Sequence, residues 1–250
     1  MKTATISIDG PKWAPFVEKL RLQNAWRTSI FVDLILQDAA HFSRDLTFLD
    51  IGCGRGFDDE PEAQEKLAAH CSYYIGVEPD TGIEITAPFN EVHRCTLEAA
   101  PLAPGSVDIG WAVMVLEHLE DPAAFWTKVY EVLRPGGVFW AFTVDNRHPL
   151  PWLVRIASSI GVKDWYLQRL RRNGGGDEYE HYPTHYRSNS PRQVTRFVQP
   201  FRQCDFVNFI RVGQIDGYLP QWARPGAHLL DRVQIALKRP GVLLAIRCEK

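Results

Sequence analysis

The chain has 250 residues, 45% hydrophobic and 23% charged, with a formal net charge of −2 and a sequence pI of about 6.4. That length can bury a full core without help from disulfides or metal, and the slightly acidic balance gives no general field to recruit nucleic acid. The first ten residues lack an apolar h-region and no run approaches the roughly 18 apolar residues of a membrane span, so a cytoplasmic chain with no integral membrane segment is expected.

Trp13 to His41 reads as two helices, the second carrying Phe31, Leu34, Ile35 and Asp38 as an apolar stripe with polar interruptions. A first strand follows at about 46–51, where Phe48, Leu49 and Ile51 form an apolar run without alternation, as in a parallel strand buried on both faces. Gly52, Gly54 and Gly56 then turn the backbone sharply and let a ligand lie against bare main chain. Asp59 is a candidate N-cap with Pro61 in the first turn of the next helix. The second strand, about 73–78, ends on Glu78, where a carboxylate can accept both hydroxyls of a ribose. A third strand is expected near Glu91–Cys95 and a fourth at 107–113. Asp121-Pro122 opens a helix with Phe125, Trp126, Val129, Tyr130 and Leu133 at helical spacing, stopped by Gly136-Gly137. The fifth strand is 137–144; Ser190-Pro191 starts a helix with Val194, Phe197, Val198 and Phe201 facing inward, and 206–212 and 242–248 supply the last two strands. The five cysteines, Cys53, Cys71, Cys95, Cys204 and Cys248, are odd in number and never form Cys-x-x-Cys, so they read as small buried residues in a reducing compartment.

The spacing of the turn is Gly-x-Gly-x-Gly, and the residues after it are Phe57, Asp58, Asp59 and Glu60. A dinucleotide turn is Gly-x-Gly-x-x-Gly with a pyrophosphate over the helix N-terminus, which three carboxylates would repel. A ligand with a ribose and no phosphate fits better, and S-adenosylmethionine is the common one, with Asp50 helping to orient its ammonium end. Further on stand Cys-Thr-Leu-Glu-Ala-Ala-Pro-Leu from Cys95, the stretch Asp108 to Pro122 with Glu117-His118 inside it, and Leu-Arg-Pro-Gly-Gly-Val from Leu133. This order resembles the class I S-adenosylmethionine-dependent methyltransferases, especially the small-molecule branch, closely over about 45–145 and more weakly from Ser190 onward.

The resemblance implies an α/β, Rossmann-like class I methyltransferase fold. Its sheet would be seven-stranded and mostly parallel with an antiparallel last strand, with helices on both faces and a helical or loop cap inserted after the fifth strand. One domain would fill the chain: N-terminal helices over the site (1–44), a cofactor-binding core (45–145), a substrate cap (146–189) and the C-terminal part of the sheet (190–250). Asp50, Gly52 and Gly54 would hold the methionine end, with Gly56 also in the cofactor-binding set, Glu78 would hold the ribose, Thr96 and Leu97 would lie beside the adenine, and Ala112 beside the sulfonium arm. The chain departs from the pattern twice. Thr96 stands where relatives often carry an acid for the adenine amino group. Val113 stands where quinone-biosynthetic relatives have an acid four residues ahead of the Glu-His pair, so a metal-independent enzyme is expected.

The segment 145–189 holds Trp152, Trp165, Tyr166, Tyr179, His181, Tyr182, His185 and Tyr186 around Gly174–Gly176, and stands at the carboxyl edge of the sheet, where open α/β folds bind ligands. Trp152 and Trp165 read as core; for the residues 181–187 a packing role and an acceptor-binding role stay equally open, with Tyr182, Tyr186 and Arg187 as candidate acceptor contacts. Methyl transfer needs a base only when the acceptor must lose a proton, and His118, His181 and His185 are the candidates. The expected function is transfer to a small-molecule acceptor, a hydroxyl of a metabolite, sugar or lipid-linked intermediate. N- or C-methylation and a noncatalytic S-adenosylmethionine binder are the alternatives. Arg169, Arg171 and Arg172 read as a solvated helix end rather than a nucleic-acid contact. Nothing in the sequence sets the oligomeric state.

Overall fold

The computed structural model describes residues 3–22, 26–149, 182–216 and 219–250. Eight strands form one mixed sheet: β1 Thr5–Ile8, β2 Thr47–Ile51, β3 Tyr73–Val77, β4 Glu91–His93, β5 Val107–Val113, β6 Leu133–Val144, β7 Gln203–Phe209 and β8 Leu243–Glu249. Their order is β1-β7-β8-β6-β5-β2-β3-β4. Only β8 runs antiparallel to its neighbours β6 and β7, which is the antiparallel last strand expected. The eighth strand beyond the expected seven is β1, which pairs parallel with β7 from Thr5 opposite Gln203 to Ile8 opposite Phe206. A four-residue Thr-Ile-Ser-Ile run carries little sequence signal; it is strand because β7 would otherwise present a bare edge.

The helices are α1 Ala14–Leu22, α2 Arg27–Ala39, α3 Pro61–Ala68, α4 Pro122–Val132, the single turn α5 Pro191–Val194, and α6 Arg224–Ala236. They cover both faces of the sheet. On one face Phe125, Trp126 and Val129 of α4 pack with Leu49, Ile51, Val77 and Phe139. On the other, Trp13 and the α2 residues Ile30, Phe31, Leu34 and Ile35 pack with Phe48, Trp111, Trp140 and Phe142. Full burial of each such side chain contributes about 1.5–3 kcal/mol. Asp38, the polar interruption in the α2 stripe, is itself buried. It accepts the Trp140 indole N–H at 2.8 Å and two bonds from Arg247 of β8 at 2.8 Å, so it pins α2 to the sheet by a charge-assisted pair.

Several boundaries differ from the sequence reading. The α4 helix is opened by Asp121, whose carboxylate takes the N–H groups of Ala123 and Ala124, but it stops at Val132 and the chain is already extended at Leu133. Gly136, at φ 78°, therefore lies inside the long β6 span and does not cap the helix. The helix after Ser190 is one turn long, although Val194, Val198 and Phe201 are still buried. The β7 strand begins three residues earlier than expected, and α6 was not legible at all. Cys204 and Cys248 face each other across β7 and β8, with Cα atoms 4.3 Å apart, and are joined by a disulfide. This corrects the expectation that all five cysteines are reduced: partners 44 residues apart in sequence meet only through the strand register. Among the described residues no helix is long and apolar enough to cross a membrane.

Candidate active site

The register of β2 and β3 sets Ile51 opposite Val77, so the glycine turn and Glu78 leave the sheet side by side. Gly52 donates its N–H to Val77 O at 2.8 Å, and Gly54 donates to Glu78 Oε2 at 3.0 Å. The other carboxylate oxygen takes the Asp80 N–H at 2.9 Å. Burial raises the Glu78 carboxyl above the ordinary range, opposed by these two N–H donors. The glycines are needed for different reasons. A Cβ at Gly52 (φ +73°) would lie 2.6 Å from Val115 Cγ2, and one at Gly54 would lie 2.9 Å from Glu78 Oε2. At Gly56 (φ +128°) it would strike the backbone of Glu60 and Pro61 at 2.7 Å. Gly56 thus closes the loop on itself, while Gly52 and Gly54 bring bare backbone against Val115 and Glu78 to form a cradle.

Asp50 supports that loop from below. Its Oδ2 accepts Gln64 Nε2 at 3.0 Å and the Tyr74 hydroxyl at 2.9 Å, and Gln64 also donates to Cys53 O at 2.8 Å. Burial pushes the Asp50 carboxyl up to about 6, against the pull of the Gln64 and Tyr74 bonds. Gln64 and Tyr74 carried no sequence signal, since each belongs to an element with an ordinary packing pattern.

The acid run after the turn does not present three free carboxylates. Asp58, in the left-handed region at φ 57°, receives Arg27 Nε and Nη2 at 2.7 and 2.6 Å and the Thr28 hydroxyl at 2.9 Å. Glu60 also accepts from Thr28, at 3.1 Å. The N-cap of α3 is Glu60, not Asp59, and no side chain caps it. The charge argument against a pyrophosphate therefore loses its first carboxylate, because α2 lies over the loop and neutralises it.

Thr96 and Leu97 part company. Thr96 is exposed before a short 3-10 turn, whereas Leu97 is buried in the core. Ala112 is fully buried within β5, opposite Ile51 and Ala141. The residue that reaches the glycine turn is Val115, after Met114 at φ 54°.

On the other side of the strand ends, Glu117 O accepts the N–H groups of His185 at 2.7 Å and Tyr186 at 3.1 Å. His118 Nδ1 lies 2.8 Å from Pro183 O, so that nitrogen carries the hydrogen. The Tyr182 ring meets the His118 ring edge-on with centroids 5.8 Å apart, and its hydroxyl donates to Asp80. Residues 182–186 thus form a strap from the end of β3 to the end of β5. The Glu117 carboxylate, buried and raised by that burial, accepts Thr143 Oγ1 at 2.8 Å, and Thr143 accepts Asn189 Nδ2 at 2.6 Å. His185 turns toward Glu120 at 3.9 Å, and Arg187 donates to Glu120 O at 2.6 Å. Tyr186 is buried at φ 50°, its carbonyl taken by Gln193. The structure so brings His118 and Tyr182 together, and sets His185 and Arg187 about Glu120. His181, with Trp152, Trp165, Tyr166, Tyr179 and Gly174–Gly176, lies outside the described residues. Among the described residues no group of three or more His, Cys, Asp or Glu is placed to hold a metal ion.

A doubly wound sheet with this cradle at the carboxyl ends of β2 and β3 defines the class I methyltransferase fold. Residues 49–141 match the family model described as methyltransferase domain. The chain is similar to the ubiquinone biosynthesis O-methyltransferase of Cereibacter sphaeroides strain ATCC 17029, 31% identical over 54% of this chain and 59% of the relative. It is also similar to that of Sodalis glossinidius, 33% identical over 64% and 57%. It thus spans less than two thirds of the length of either relative. Among solved structures, the geranyl diphosphate C-methyltransferase of Streptomyces coelicolor A3(2) shares the fold, with a TM-score of 0.56 at 14% identity, over 88% of this chain and 78% of that one. Residues 49–141 thus match a methyltransferase domain, within a fold shared with S-adenosylmethionine-dependent methyltransferases.

Proposed function

We propose that the chain transfers the methyl group of S-adenosylmethionine to a hydroxyl of a small-molecule acceptor, a metabolite, sugar or lipid-linked intermediate. The observation that carries this reading is the cradle: bare Gly52 and Gly54 backbone beside a Glu78 carboxylate already oriented by two N–H donors. S-adenosylmethionine, once bound, supplies a carbon already activated by sulfonium, so alignment provides much of the rate. In this reading Glu78 accepts the ribose hydroxyls and the glycine turn takes the amino acid arm, with Asp50 and Gln64 holding the turn in place. Thr96 accepts from the adenine edge as a neutral partner. His118 receives the acceptor's proton: its Nδ1–H is committed to Pro183 O, which leaves Nε2 as the basic nitrogen of the neutral ring. Tyr182 covers the same opening. Hydroxyl transfer is favoured over N- or C-transfer by that histidine and by the similarity to O-methyltransferases.

The test is demethylated-cofactor formation by the full chain with a panel of phenolic, sugar and amine acceptors. A hydroxyl acceptor that turns over, at a rate that His118→Gln lowers, supports the reading. Turnover of amine or carbon acceptors alone, or of none while the cofactor binds tightly, overturns it.

A further inference from the structure

The α6 helix is turned inside out. Its neighbour Trp222 is 84% exposed, and Leu229, Leu230, Val233 and Leu237 are each 45–65% exposed. At helical spacing these five fall on one side, with Gly226 among them. The opposite side carries the polar anchors. Asp231 is buried and accepts the Gly213 N–H at 2.8 Å. His228 meets Asp216 at 2.8 Å, and Gln234 meets His148 Nε2 at 3.1 Å. An ordinary surface helix does the reverse, and the described residues leave the apolar stripe uncovered.

Charge selects the occupant. Arg232, Lys238 and Arg239 are exposed beside the stripe, and Asp231, the sole acid between residues 219 and 240, is buried and taken. This is a cationic rim on a chain of net charge −2. A second copy laid face to face would bring like charges together, whereas an anionic surface complements them. An amphipathic helix with an apolar stripe, flanking cations and a protruding tryptophan is the form that lies in a lipid interface. Its position agrees. β7 runs parallel to β1 and antiparallel to β8, as β6 does, so the β7–β8 connection holding α6 stands at the carboxyl edge with the cradle.

We propose that α6, with Trp222, docks this protein peripherally on anionic phospholipid surfaces, with the carboxyl edge of the sheet toward the lipid. The test is co-sedimentation of the full chain with phosphatidylcholine vesicles, with and without an equal part of phosphatidylglycerol, at about 0.1 M salt. Binding should require the anionic lipid and weaken as salt rises. The Arg232→Gln, Lys238→Gln, Arg239→Gln triple variant should lower partition by about a hundredfold, and Leu230→Gln with Val233→Gln should lower it at least about tenfold. All five side chains are exposed, so melting temperature and cofactor affinity should stay at wild-type values. Equal binding to neutral vesicles, or indifference to both variants, overturns the proposal. So does absence of vesicle binding, whether the chain is then monomeric or forms a dimer that Val233→Gln dissociates in light scattering.

Discussion

Gly54 donates its backbone N–H to the Glu78 carboxylate across 3.0 Å, which makes the turn after β2 and the end of β3 one unit. A side chain at 54 and a ligand hydroxyl at Glu78 then compete for the same space. Glu78→Ala should weaken S-adenosylmethionine binding by about 1.5–3 kcal/mol, the scale of a lost charged hydrogen bond. Gly54→Val should abolish it, because the new Cβ meets Glu78 Oε2 at 2.9 Å and Ile83 Cδ1 at 3.3 Å. Calorimetry with the cofactor, its demethylated product and NAD reads both. Normal binding by Glu78→Ala, or preference for NAD, would remove the ribose assignment.

The same unit shows what a sequence carries and what it does not. The Gly-x-Gly-x-Gly turn, Glu78 and the apolar runs of β2, β3 and β5 announce themselves, because each depends on local chain geometry or on a strand buried on both faces. Asp58 was misread for the opposite reason. Its partner, Arg27, is 31 residues away on another helix, and a carboxylate in a run of acids looks solvated until the fold covers it. The four-residue β1 and the inverted α6 escaped because their structure follows from a sheet edge and from buried polar anchors, neither of which leaves a periodic apolar signal facing the core.

Arg27 and Asp58 should therefore be a stability pair. The Asp58 side chain is 2% exposed and Arg27 25%, so Arg27→Ala strands a buried carboxylate and should cost about 2–4 kcal/mol. Asp58→Asn should cost less, because Asn keeps a hydrogen-bonding oxygen and tolerates the left-handed backbone. A double-mutant cycle by urea unfolding measures the coupling, and additive losses would mean the two do not act together.

Asp50 gives a pH signature. Its folded-state pKa, about 6, lies above its ordinary 3.8, so the folded chain holds this proton more tightly than the unfolded one. Its contribution is fully present below about pH 4 and is lost as pH rises through about 6, an effect of order 3 kcal/mol. The stability of wild type relative to Asp50→Asn should therefore fall across that window. A difference that is flat with pH would show that Asp50 ionises without penalty.

Metal should be dispensable. With Val113 in place of an acid, and the Glu117 carboxylate already accepting Thr143 Oγ1, the Glu-His pair offers few ligands to magnesium. Turnover should survive EDTA and dialysis. Loss on chelation with recovery on adding magnesium would refute this.

The strap supplies the last prediction. His118 is held through Nδ1 to Pro183 O, and Tyr182 closes against its ring while bonding to Asp80. The His118 ring and its Tyr182 cover are therefore mechanically linked. His118→Gln should lower turnover by about 10² to 10⁴ with cofactor affinity nearly unchanged. Tyr182→Phe removes the bond to Asp80 and keeps the ring, so it should raise KM for the acceptor more than it lowers kcat. His185→Gln should leave turnover close to wild type, because the His185 ring is directed at Glu120. If His185→Gln instead carries the loss and His118→Gln is silent, the roles are exchanged and the strap must turn over for catalysis. If neither matters, the acceptor needs no base and alignment alone provides the rate.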